Sequence, residues 1–254
     1  MTRVTFSGER LSIELPKGWH ELTPEELAAV LEVMGTCSAN TAQLGVFCRL
    51  TWLKIIRENP DGFLCSITVS GKELGLSISA EQMAPLMEVL DWLFVPGNYP
   101  VRPDTMRGAR AVNAQLHGVR FADWLSLENS YQGYMQSQDP AAAAAMARKL
   151  YPGVELSTPL TGPEVFAIVN WYTQVKGLFA DLWPRFFKPS AGGGAADAKA
   201  MRELMDNEIR ALTGGDVTKE QVVFDTDCWR ALTELDHKAR EAEEFNTQMA
   251  KYKK

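Results

Sequence analysis

The residues whose types could do chemistry are few and scattered. His20, His117 and His237 lie in three separate segments, and none stands in HxH, HxxxH or His/Cys spacing with a second ligand. A metal site would therefore have to be assembled from distant parts, and a structural or surface role is expected at each histidine. Cys37, Cys48, Cys65 and Cys228 form no CxxC pair. Cys48 and Cys65 stand among apolar neighbours, which raises a thiol pKa and makes the sulfur inert. Free buried thiols in a reducing cytoplasm are the simplest account. A Ser-His-Asp or Cys-His site could still assemble in space, but the GxSxG elbow does not occur.

Gly192-Gly193-Gly194 lacks the preceding apolar strand and following GK[ST] of a phosphate cradle and reads as a hinge. Gly214-Gly215-Asp216 follows a helical stretch and reads as its C-cap and turn. The carboxylates at Glu25/Glu26, Asp225/Asp227 and Glu241/Glu243/Glu244 sit at helix ends or on polar faces, where capping and solvation account for them. Trp52, Trp92, Trp124, Trp171 and Trp229 all lie within helical stretches, so core packing is expected, with one or two as partner anchors. No catalytic residue, cofactor-binding residue, metal ligand or cofactor is assigned on this reading.

Composition sets the outer limits. With 254 residues, 46% hydrophobic and 23% charged, the chain can bury a full core and is expected to fold. A net charge of −6 argues against a broad grip on nucleic acid. Lys251, Lys253 and Lys254 suit the end of a terminal helix. The most apolar long stretch, 165–187, is interrupted by Asn170, Gln174, Lys176, Asp181 and Arg185, too polar for a bilayer span. The opening MTRVTFSGER has no signal-peptide core, and a cytoplasmic location is expected.

The elements that would position these residues are mostly helices. Short β-prone runs at 3–6 and 11–15 predict a hairpin around Ser7-Gly8-Glu9-Arg10. Thr23-Pro24-Glu25-Glu26 starts a helix carrying Leu27, Val30, Leu31 and Met34, with a break at 35–38. Ala42, Val46, Phe47, Leu50, Leu53 and Ile56 predict a second helix that stops before Asn59-Pro60-Asp61-Gly62. Residues 63–69 and 74–78 predict another hairpin around Ser70-Gly71-Lys72, and Ser79 starts a helix that runs to Pro96-Gly97-Asn98. The segment 96–119 reads as an ordered loop with a strand at 110–116.

Helices are further expected from Phe121 through Tyr134, after the Asp139-Pro140 cap, and from Thr161-Gly162-Pro163-Glu164 to Pro184, the last being the most buried. Met201, Leu204, Met205, Ile209 and Leu212 mark another helix, and Asp227 caps a final one. The expected fold is mainly α with small β-hairpins (α+β), a multi-helix bundle with a linker-attached C-terminal helical hairpin. Its divisions are 1–188, a Gly/Ala linker at 189–198, and the hairpin at 199–254. Two helices bury too little surface to stand alone, so their stripes must cover the main body, a second copy or another protein. Trp229, Leu232, Phe245 and Met249 are the partner-binding candidates, Trp229 and Phe245 being large enough to serve as anchors or as core.

Three stretches carry a family likeness: Leu15-Pro16-Lys17-Gly18-Trp19-His20-Glu21-Leu22-Thr23, Trp171-Tyr172-Thr173-Gln174-Val175-Lys176 with Trp183-Pro184-Arg185-Phe186-Phe187, and Glu208-Ile209-Arg210-Ala211-Leu212-Thr213-Gly214-Gly215-Asp216. Together they resemble proteins encoded in tail-morphogenesis regions of bacterial phages and prophages. That resemblance implies an assembly role, as a tail-assembly chaperone or accessory structural protein, and carries over no catalytic residue. The expected function is non-enzymatic protein–protein interaction or assembly, with a protein partner or self-association and with no nucleic acid or membrane. The alternatives are an enzyme whose site is built from scattered residues and, third, a nucleic-acid-binding adaptor.

Overall fold

Hydroxyl and carboxylate caps set where several helices of this chain begin. In the computed structural model, which describes residues 2–6, 11–69, 71–188 and 198–252, the chain divides into two compact units. One comprises Met1–Pro103 with Thr161–Asn170, the other Asp104–Leu160 with Trp171–Lys254. The expected main-body and linker boundary differs from this grouping, and residues 189–197 of that linker lie outside the described residues.

In the first unit, β1 (Thr2–Phe6) pairs antiparallel with β2 (Leu11–Leu15). The turn expected at 7–10 lies outside the described residues. Helix α1 (Pro24–Thr36) starts on a reciprocal capping box: Thr23 Oγ1 accepts from the Glu26 amide at 3.2 Å, and Glu26 Oε2 accepts from the Thr23 amide at 2.8 Å. The expected break at 35–38 comes later than Gly35, which lies inside α1. A Cβ on Gly35 would come within 2.3 Å of the Pro163 backbone, and one on Gly162 within 2.0 Å of the Gly35 carbonyl oxygen. Both glycines are there because two backbones meet.

Helix α2 (Ala39–Thr51) ends five residues short of Ile56, the last position of its expected stripe. Trp52 takes the left-handed conformation, φ 61°, and stops the helix. The chain re-enters as β3 (Lys54–Asn59), so the expectation that Ile56 is helical is corrected. The β-branched Ile55-Ile56 pair favours a pleated strand, with a register shift between Ile55 and Arg57. β4 (Gly62–Val69) and β5 (Lys72–Ser79) complete an antiparallel sheet in the order β3-β4-β5. Ser70 of the expected turn lies outside the described residues. A second capping box, Ser79 with Gln82, starts α3 (Ala80–Glu88). The core of this unit gathers Leu15, Trp19, Val30, Val46, Phe47 and Leu90, with Ala167 from the piece at 161–170.

The second unit opens with two-residue strands, β6 (Thr105–Met106) and β7 (Ala109–Arg110). The strand expected at 110–116 stops at Arg110. Beyond it the loop folds on its own side chains, Asn113 Oδ1 accepting from the Gln115 amide at 2.9 Å, and Leu116 turns left-handed at φ 64°. Then come α4 (Phe121–Ser137), α5 (Pro140–Leu150, capped by Asp139), α6 (Gly162–Leu182, ending before Pro184), α7 (Ala198–Thr213), α8 (Glu220–Asp225) and α9 (Cys228–Tyr252). Helix α6 is shared, its residues through Asn170 counting with the first unit. Helices and small antiparallel sheets of this kind are the mainly α, α+β class expected. Among the described residues, no helix is long and apolar enough to cross a membrane.

Candidate functional site

The first unit carries an open groove of about 630 Å³ where α1, α2 and the start of β3 meet. Its apolar lining includes Ala29, Val33, Leu50, Trp52 and Leu53, and charge of both signs is supplied by Glu25, Glu26, Arg49 and Lys54. Trp52 is 81% exposed, and its left-handed backbone ends α2 and sets the indole among these residues. Ile56 and Leu64 of the adjoining sheet are also exposed. A large indole left in water next to an apolar depression is the kind of residue on which protein interfaces centre their binding energy.

Burial, with Cys65 close by, pushes the Cys48 thiol up to about 11, so the sulfur stays protonated and unreactive at neutral pH. Cys65 is likewise raised by burial, in line with the inert reading of both. Arg49 makes an ion pair with Glu32 at 3.7 Å. Cys37 is exposed and lines the groove.

The four residues singled out from the sequence as partner-binding divide into two pairs. Leu232 is fully buried within the second unit. Trp229 is engaged within its own unit: its ring stacks on His117 at 3.8 Å and meets Phe179 and Trp183 at 5.8 and 5.2 Å. Its indole donates to the Gln115 carbonyl at 2.7 Å, beside the Trp171 indole, which donates to Ala114 at 2.7 Å. These two indoles, with Asp227 accepting from the Gly118 amide at 2.6 Å, fasten the loop 113–119. Phe245 and Met249 are exposed on the far half of α9, four residues apart on one side of the helix.

The second unit also holds a polar cluster that the sequence reading did not single out. Glu128 of α4 accepts from the Tyr172 hydroxyl and from Gln132 Nε2, each at 2.7 Å, and from Lys176 Nζ. Lys176 lies 5.4 Å from the Tyr131 ring centre, and the Tyr131 hydroxyl is 3.0 Å from Thr173 Oγ1. Glu208 of α7 is buried in the same region. A signal for all three charges was present: Glu128 follows Phe121, Trp124 and Leu125, Lys176 precedes Phe179, and Glu208 lies between Met205 and Leu212, each on a helical apolar stripe. Among the described residues, no group of three or more His, Cys, Asp and Glu side chains could hold a metal ion. Comparison with protein-family models, curated proteins and solved structures finds no match to this chain.

Proposed function

We propose that this protein is a non-enzymatic interaction or assembly protein that takes an apolar segment of a partner protein into the Trp52 groove. The observation that carries the reading is the Trp52 indole, 81% exposed beside an apolar groove of about 630 Å³. An exposed aromatic anchor over a pocket is the usual centre of binding energy in protein interfaces. The mixed charge of Glu25, Glu26, Arg49 and Lys54 fits the polar surround that such interfaces carry. The setting we propose is tail morphogenesis of a phage or prophage, as tail-assembly chaperone or accessory structural protein. That part rests on the likeness of the three sequence stretches quoted above.

The test is a photoreactive phenylalanine analogue placed at position 52, with crosslinking in the native host and identification of the adduct. An adduct with a tail-morphogenesis protein, lost when Val33 is changed to Glu, supports the proposal. An adduct with a metabolic enzyme would remove the tail setting. Full retention of partner binding by Trp52→Ala would remove the groove from the reading altogether.

A further inference from the structure

Helix α7 brings one carboxyl group into the interior of the second unit. Glu208 is 7% exposed, and its Oε2 atom is shielded from solvent with no hydrogen-bond partner among the described residues. Among the described residues, the charged groups that act on it are Glu128 of α4 and Lys176 of α6, of opposite sign. That single ammonium is already bonded to Glu128, which also accepts from Tyr172 and Gln132. An ionised Glu208 would set a buried carboxylate beside the half-buried Glu128 carboxylate against one cation, with an oxygen left unsolvated. A protonated Glu208 is neutral and leaves the existing pair balanced.

The neighbouring groups do not relieve the excess. Burial and Glu128 push the Tyr172 phenol well above its usual range, and burial pushes the Cys228 thiol up to about 12, so both stay protonated. Helices α8 and α9 and the turn Val217–Lys219 also pack on α7. Among the described residues they add no charge to the balance at Glu208. Glu220 of α8 lies with Asp206 and Arg210 of α7 along a separate cleft. Lys219 is paired with Asp216, and Asp236 of α9 accepts from the Arg185 and Phe186 amides.

We propose that Glu208 is a proton-operated latch: with its carboxyl neutral, α7 is seated in the second unit, and with it ionised the helix is released and its apolar side uncovered. The device is independent of what the Trp52 groove binds. Burial first, and then the Glu128 charge, raise the Glu208 carboxyl to about 7 against the opposing pull of Lys176, which sets the latch at neutral pH. The released helix returns the carboxyl to its ordinary value of 4.5. The seated form therefore binds the proton more tightly, and the seated fraction falls as pH rises through 7.

Hydrogen exchange of the full chain reads this directly. With intrinsic rates corrected for pH, protection of the α7 amides should fall about tenfold between pH 6 and pH 8, the ratio that follows from carboxyls titrating at about 7 and 4.5. The α4 amides should keep their protection. Glu208→Gln, which is isosteric and uncharged, should hold α7 equally protected at both pH values. Protection of α7 that does not change with pH in the wild-type chain overturns the latch, as does a parallel loss in Glu208→Gln. Should that variant fail to fold, carbon NMR of glutamate-labelled wild-type protein decides the matter: a Glu208 midpoint near 7 is expected, and one below 5 overturns the proposal.

Discussion

Single residues in this chain matter through what stands opposite them. Trp52 faces solvent, so Trp52→Ala should leave stability within about 0.5 kcal/mol of wild type while weakening partner binding at least about tenfold. Chemical denaturation and a binding titration check the two halves, and a large loss of stability would mean that the indole is core. The glycines allow a sharper comparison. Gly35→Ala drives a methyl into the Pro163 backbone and should destabilise by about 1–3 kcal/mol. Gly133→Ala in α4 meets nothing within 4 Å among the described residues and should stabilise by about 0.5–1 kcal/mol. Denaturation midpoints that moved the same way in both variants would refute the close approach.

At the scale of elements, the C-terminal helices cover an aromatic cluster of their own unit. A chain ending at residue 191 loses Trp229 from Phe179 and Trp183, both buried in the full chain. It should melt without cooperativity and bind a hydrophobic dye, and a cooperative, dye-free melt would show the helices to be dispensable. The helices were legible because hydroxyl and proline caps coincide with a 3.6-residue apolar period, as at Thr23, Asp139 and Thr161. The end of α2 was not, because Leu50, Leu53 and Ile56 keep a helical spacing that only the left-handed turn at Trp52 interrupts. Helix α8 was missed because six residues are too few to show a period. Charges on apolar stripes were a signal for Glu128, Lys176 and Glu208 that went unread, whereas the groove arises where α1 meets α2 and has no signature along the chain.

For the molecule as a whole, the Glu208 carboxyl ties folding to pH. Held at about 7 in the folded state against 4.5 in the unfolded chain, it favours folding fully below pH 4.5 and loses that advantage as pH rises through 7, by up to about 3 kcal/mol. Urea midpoints across that range should decline in the wild-type chain and stay flatter in Glu208→Gln, and parallel curves would refute the linkage. Chelator and reductant should leave the melting temperature unchanged, since the described residues gather no metal-binding group and all four cysteines are free. A drop of several degrees with either would reveal a bound metal or a disulfide. The division of α6 bears on how the chain is made. Ala167 belongs to the core of the first unit yet is synthesised only after the whole stretch 104–160. At a ribosomal rate of roughly 5–20 residues per second, the amino-terminal part waits several seconds for the piece that completes it. During that interval the surface meant for residues 161–170 is open.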